Sequence, residues 1–551
     1  MKNNRLNTKR TALFTALVLE LSSMAHADVI TVDGIDCQLA DAITAANSNA
    51  KTNGCSAGNA DIKINDTIDL QGNRIIQLNM ALPKITSKLT INGNGATLER
   101  QSETEFPILQ LMDADLTLND IHIKNGVTAS ANRNDGGGIS ASSSDLTLNR
   151  VNISENTGGG LLASSSNLTI NDSIIENNVG LDLNIFNIGA AGITLRGGNH
   201  LIQNTIVSNN KAYGFSSAGG IEIRSPSVGA ASVQITNSTI SHNSQKLRRG
   251  GAGVFIWSAE FGEKGSFNFD TVDISHNIGG ALFSQYSDVT ITDSVINNNT
   301  SNDELFLLSA GITLQGGSHL IQNTTISNNQ TISQFNGAGA GLKAYSWYRH
   351  DLILEMNNST ISNNTSESSG GGINLTRYFN DKYSNSATIN LNHVTVVGNS
   401  ANGNGGGILS FSTTLNLSKS LVSGNTANLG SDIFISQGLA VFDDFNLLGL
   451  DGDAGVFGAV AGATDIVPTE TSLSQIIDVN LIDNGGDTPT HALAAGSPAI
   501  DSIPVENCLL SVDQTGKERP LDGDDDMVIT CDIGAFEAGT ADLIFKNNFD
   551  E

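Results

Sequence analysis

The sequence predicts an all-β fold: a single right-handed parallel β-helix, a solenoid of stacked coils, with a short capping helix at its N-terminal end. Three observations carry the prediction. A strand-like segment recurs eleven times between Leu116 and Asn425. An asparagine closes almost every copy, and a glycine pair stands before most of them. The shortest step between copies, Asn156 to Asn178, is 22 residues.

The copies read LTLNDIHIKN from Leu116, LTINDSIIENN from Leu168, HLIQNTIVSNN from His200, VTITDSVINNN from Val289 and LNLSKSLVSGN from Leu415, with the others between them. Apolar and polar residues alternate with a period of two, which is the pattern of a strand. A unit of this length is too short for a strand–helix–strand crossover. It fits one coil of short strands joined by turns. A lone coil cannot bury its apolar face, so successive coils must stack. Stacking places like residues about 4.8 Å apart, and eleven copies with flanking coils give a rod of about 60–70 Å. The closing residues Asn156, Asn178, Asn210, Asn243, Asn277, Asn299, Asn329, Asn364, Asn399 and Asn425 are then expected to form an amide ladder. Glycine pairs such as Gly137-Gly138, Gly219-Gly220 and Gly406-Gly407 are expected at turns of positive φ. Propeller blades need about 40 or more residues each, and leucine-rich repeats need a fixed leucine pattern, so neither suits these units. Ala191–Asn210 nearly repeats as Ala310–Asn329. His200 and His319 hold equivalent places in that duplicated block and read as scaffold.

Residues 1–27 read as a secretory signal. Lys2, Arg5, Lys9 and Arg10 precede an apolar stretch from Thr11 to Leu21, interrupted by Glu20, and Ala25 and Ala27 complete an A-x-A cleavage pattern. An ordinary N-terminal helix is the alternative. No later segment has the apolar length of a membrane-spanning helix. Acidic residues number 56 against 28 basic ones, a net charge of -28. This balance argues against nucleic acid as a partner and against an anionic membrane surface. The composition, with 58 Gly and 8 Pro, would suit a flexible coil were it not for its Val, Ile and Leu, which a buried parallel sheet requires. Cys37 and Cys55 lie near one end, Cys508 and Cys531 near the other. In an exported chain this spacing suggests two local disulfides, with a metal site as the alternative for each pair.

The expected organisation is a signal peptide over 1–27, an N-terminal cap and first rungs over 28–100, and β-helix repeats over 101–455. C-terminal rungs and closure follow over 456–540, then a tail over 541–551. Within CQLADAITAAN, from Cys37, residues Leu39, Ala42, Ile43 and Ala46 have helical spacing. They predict a helix that covers the open end of the solenoid, which would otherwise invite pairing with other chains.

Several segments resemble known families. The GG-apolar element followed by I-x-x-N, over Gly137 to Asn425, resembles the repeats of polymorphic outer-membrane proteins within the pectin-lyase-like superfamily. CQLADAITAANSN resembles the N-terminal segment of bacterial surface β-helices. DNGGDTPTHALAAGSPAID (Asp483–Asp501), DQTGKERPLDGDDD (Asp513–Asp526) and CDIGAFE (Cys531–Glu537), in that order, resemble the choice-of-anchor β-helix proteins. DLIFKNNFDE, from Asp542, is similar to short tails of exported proteobacterial proteins, with Asn548 where those carry Gly. The resemblance implies a right-handed β-helix at the outer membrane surface or released outside the cell. It implies location and fold rather than a reaction. No run of alternating strands long enough for a membrane barrel follows residue 450.

Chemistry is expected in segments that follow the GG-apolar strand. FIWSAEFGEK (Phe255–Lys264), KAYSWYRHD (Lys343–Asp351) and TRYFNDKY (Thr376–Tyr383) hold both tryptophans and four of the six tyrosines. The last two come from adjacent coils, so they should lie side by side. Aromatic faces accept sugar rings, and Arg grips carboxylates bidentately. Trp347, Tyr348, Arg349, Arg377, Tyr378 and Tyr383 are therefore candidates for contact with a polysaccharide or cell-surface glycan. The bland alternative is that these aromatics pack the loops against the rod. An adhesive role is the first functional expectation. A lyase or hydrolase of acidic polysaccharide is the second, with Arg349, Asp351, Arg377, Asp381 and Lys382 as its acid, base and carboxylate-binding groups. A purely structural rod is the third. No motif requires a cofactor. Asp522, Asp524 and Asp526, around Gly523, resemble the start of a calcium loop without the turn glycine of an EF-hand, and a solvated acidic turn is the alternative. No phosphate loop, Ser–His–Asp arrangement or haem motif is present.

Overall fold

A computed structural model describes residues 28–61, 64–128, 136–181, 189–213, 218–226, 229–246, 251–260, 264–301, 308–332, 339–378, 384–442 and 444–539. The expected signal peptide and the tail from 541 lie outside them. The chain is an all-β, right-handed parallel β-helix, the hand that parallel crossovers adopt. Among the described residues its strands assemble into a 22-stranded sheet, a 13-stranded sheet and two narrow sheets of three and four strands, every ladder parallel.

From Leu109 to Leu448 each coil contributes to both large sheets. In Asp145–Ser154, Leu146, Leu148, Val151 and Ile153 point inward. The alternation changes phase at Arg150, whose φ of 54° bends the strand. Asp120, Asp172, Asn204 and Asn237 bend neighbouring coils at the same place, so the 22-stranded sheet folds into two faces. The 13-stranded sheet supplies the third face. In its strands the first and third residues face the core, as with Ile221 and Ile223 or Leu342 and Ala344. The second and fourth face outward, and these carry the candidate site.

The asparagine ladder forms as expected. Each of the first nine side chains donates from Nδ2 to Oδ1 of the next, from Asn156 to Asn178 at 2.9 Å through Asn399 to Asn425 at 3.0 Å. The backbone N–H of each donates to the same oxygen. After Asn425 the acceptor is Asp432, at 2.8 Å. The glycine pairs divide: Gly159, Gly279 and Gly280 have the expected positive φ, whereas other pairs serve close approach. Gly219 and Gly220 are absent from the positive-φ positions. A Cβ on Gly220 would lie 2.5 Å from the Gly253 carbonyl oxygen and 3.1 Å from Asn243 Nδ2. The second glycine thus leaves room for the ladder and for the next coil.

Helix Leu39–Ser48 caps the N-terminal end, burying Leu39, Ala42, Ile43, Ala45 and Ala46. The Cys37–Cys55 disulfide closes its loop, and Cys508–Cys531 is the second bridge. The expected C-terminal closure takes a different form. Strand Val456–Phe457 is still a rung, and Ala454, Val456, Ala459 and Ala461 cover the end of the core. Residues from 473 onward instead fold back along the side of the shaft. Ile476, Ile477, Ala499, Ile503 and Ile533 form a second core with Val397, Leu421 and Leu447 of the coils. Hydrogen bonds from Thr325 to Pro489, Thr360 to Gln514 and Asn358 to Val512 fix this block laterally. The shaft's outward Thr file gives it polar partners that a bare apolar face would lack.

Candidate glycan-contact surface

The 13-stranded sheet aligns its fourth positions into one outward file. Its register runs Arg196, Arg224, Trp257, Gln285, Gln315, Tyr345 and Thr376. Strand Leu342–Ser346 therefore places Lys343 and Tyr345 on the outer face. The chain then turns tightly: Trp347 bridges His350, and Tyr348 sits in the left-handed region at φ 53°. The next coil's strand, Ile373–Arg377, delivers Tyr378 beside this turn, its N–H bonded to the Ser346 carbonyl at 3.3 Å. Phe255–Ser258, Lys343–Ser346 and Thr376–Arg377 are thus strand residues, where the sequence suggested loops.

The two segments do meet. Trp347 and Tyr378 rings lie 5.0 Å apart, Tyr345 and Tyr378 5.6 Å, and Trp347 and Tyr348 5.2 Å, all edge to face. Tyr348 is 42% exposed, while Tyr345 is buried beneath the others. Lys343, itself buried, holds its ammonium 5.1 Å from the Tyr345 ring. Burial pushes the Tyr378 phenol above its ordinary pKa, so it stays a neutral hydroxyl. Arg377 donates from Nε to Asn385 Oδ1 at 3.0 Å, and Asn385 donates to the Tyr378 carbonyl at 3.2 Å. Beside Arg377 opens a polar cleft of about 210 Å³ with Ser386, Thr388, Ser412, Thr414 and Gln437 on its walls. Arg349 is exposed on the turn. Tyr383, Asp381 and Lys382 lie outside the described residues. Asp351 accepts from the Ser386 N–H at 2.6 Å and hydroxyl at 2.9 Å. That makes it a tether for the following coil.

His350 returns over two coils. Its ring stacks on Tyr286 at 4.0 Å and comes within 4.0 Å of Glu260, and burial lowers its pKa. The Tyr286 hydroxyl accepts from Gln315 at 3.3 Å, and Tyr345 donates to Gln315 at 3.0 Å. Tyr345, Tyr286 and His350 were not among the sequence candidates. The period of two through Lys343, Tyr345 and Trp347 was the available signal for Tyr345. His200 and His319 are buried, each bonded through Nε2 to a carbonyl, of Gly197 and Gly316, with burial lowering both pKa values to about 4. They are scaffold.

At the acidic turn, carboxylate oxygens of Asp501, Asp522 and Asp524 lie within 4.8 Å of one another. Asp526 is not in that group, and its carboxylate accepts from the Val528 N–H. Burial first, and then the neighbouring Asp524 and Asp522 charges, raise the pKa of Asp501 against the lowering pull of its hydrogen bonds from Gly523 and Thr530. Sequence reasoning missed Asp501 because the fold, and not spacing, brings it there.

Residues 181–353 match the family described as a right handed beta helix region. A solved structure, the crystal structure of pectate lyase Pel9A, is similar over 86% of this chain and 88% of that chain, at 13% sequence identity and a TM-score of 0.27. No curated protein matches the chain. No helix among the described residues is long and apolar enough to cross a membrane.

Proposed function

We propose that the chain is an exported protein of the cell surface or extracellular space that contacts polysaccharide through Trp347, Tyr348 and Tyr378, flanked by Arg349 and Arg377. The observation that carries this reading is the meeting of Trp347 and Tyr378 at 5.0 Å from two adjacent coils. Together with Tyr348, they form an aromatic platform on a rigid sheet. Ring faces offer sugar C–H groups a large apolar contact at low entropic cost, and Arg offers paired donors to carboxylates. The polar cleft beside Arg377 supplies hydroxyl and amide groups for sugar hydroxyls. Cations gathered here contrast with a chain that carries twice as many acids as bases.

Binding of the purified protein to a glycan array is expected to fall at least about tenfold on Trp347→Ala or Tyr378→Ala. Unchanged binding in both variants rejects the platform. Unsaturated product from polygalacturonate with calcium would move the reading to a lyase.

A further inference from the structure

We infer that His242 and His276 form a chelating pair for a divalent transition-metal ion, Zn2+ or Cu2+, at a corner of the shaft that the glycan reading does not use. Strands Ser232–Ser241 and Ser266–Ser275 pair in parallel, with Ser241 against Ser275. His242 and His276 follow them directly, at the corner before the ladder residues Asn243 and Asn277. Both adopt the left-handed region, at φ 57° and 56°, as Asn209 and Asn298 do at the same corner of the flanking rungs. The two imidazole rings are parallel to within 1°, with centroids 4.9 Å apart. Both residues are exposed.

The backbone beneath the pair is fixed. The His242 N–H donates to the Ser275 carbonyl at 3.1 Å and the His276 N–H to the Asn297 carbonyl at 3.2 Å. Asn243 donates to Asn277 Oδ1 through its N–H at 2.9 Å and its Nδ2 at 3.2 Å. The ladder therefore holds two imidazoles one rung apart on a rigid edge. An imidazole nitrogen binds Zn2+ at about 2.0–2.1 Å, so two of them on one tetrahedral ion stand about 3.4 Å apart. Tilting each ring by about 10–15° toward the other brings rings 4.9 Å apart to that bite, a movement that stays inside one rotamer well. Imidazole suits Zn2+ and Cu2+, whereas Ca2+ and Mg2+ take oxygen ligands. Two protein ligands leave the remaining positions to water, so the ion is exchangeable and the fold does not depend on it. The chain's 56 acidic residues against 28 basic ones draw cations to the rod.

The test is equilibrium dialysis of the untagged, EDTA-stripped full chain against Zn2+, and separately Cu2+, in excess Ca2+. Calcium competes at the carboxylates of Asp501, Asp522 and Asp524 and leaves imidazoles alone. One transition-metal ion per chain is expected at the pair. His242→Asn and His276→Asn install the residue that the flanking corners carry, so the left-handed corner is kept and circular dichroism should not change. Each is expected to weaken binding at least about tenfold, and the double variant to abolish it. His122→Asn, at a ring bonded to Ser154 at 2.7 Å, is expected to leave binding unchanged. Full affinity in either single variant at the corner, or no binding of Zn2+ and Cu2+ by the parent, overturns the inference.

Discussion

Asp432 ends the asparagine ladder with a carboxylate where an amide would continue it. Its Oδ1 accepts from Asn425 N at 3.1 Å and Asn425 Nδ2 at 2.8 Å. It is buried, and that burial, only partly offset by those two bonds, pushes its pKa up to about 7 from an ordinary 3.8. The folded state therefore holds a proton that the unfolded chain releases. Stability from this group is fully present below about pH 4, falls as pH rises toward 7, and is flat above. The full displacement corresponds to about 4 kcal/mol at 1.36 kcal/mol per tenfold. Relaxation around the site makes that a ceiling. Asp432→Asn removes the ionisation and keeps an acceptor oxygen for Asn425. Urea unfolding midpoints of variant and parent should nearly coincide at about pH 3.5, and the variant should be more stable by about 2–4 kcal/mol at about pH 8.5. The comparison of variant with parent cancels other groups that titrate in this window, such as Glu537. An equal difference at both pH values, or a less stable variant at high pH, would refute the reasoning.

Asn277→Ala removes four ladder bonds, to Asn299, to the Ile240 carbonyl, and from Asn243 N and Nδ2. A loss of about 3–5 kcal/mol is expected in denaturant unfolding, and a loss under about 1 kcal/mol would mean the ladder is incidental. Arg519 is buried between the lateral block and the shaft, donating to the Asp532 and Gly534 carbonyls and bonded to His393 Nδ1, with Glu537 at 3.2 Å. Arg519→Met strands the Glu537 charge. It should cost about 3–5 kcal/mol and make the chain after 467 protease-sensitive while the shaft keeps its circular dichroism; an unchanged digestion pattern speaks against the latch. Calcium at Asp501, Asp522 and Asp524 is expected to raise the thermal midpoint relative to EDTA, and identical midpoints would retire that site.

The shaft was legible because every coil restates the same constraints. The Asn at the end of each copy faces the next Asn, so a sequence period becomes a file in space. The adjacency of Trp347 and Tyr378 followed from the same logic, since both leave equivalent strands. Features that depend on contacts between unlike coils were not legible. His350 reaches Tyr286 only because the chain reverses at Tyr348. Asp501 joins Asp522 and Asp524 through the fold of the C-terminal block. That block reads the shaft through Thr325, Thr360 and Thr395, which look like any outward strand threonines. The two roles of the glycines could not be separated in sequence, because close approach to the ladder, as at Gly220, leaves the same mark as the positive φ of Gly279 and Gly280.

The chain holds two tryptophans, Trp257 on the outer face of the 13-stranded sheet and Trp347 on the turn that leaves that sheet after Ser346. Its tryptophan fluorescence is therefore a reporter of that surface alone. Titration with the tightest array glycan should shift the emission saturably and shield the indoles from acrylamide, with the same Kd that calorimetry gives. A glycan that binds by calorimetry yet leaves emission and quenching unchanged would place the contact elsewhere on the rod.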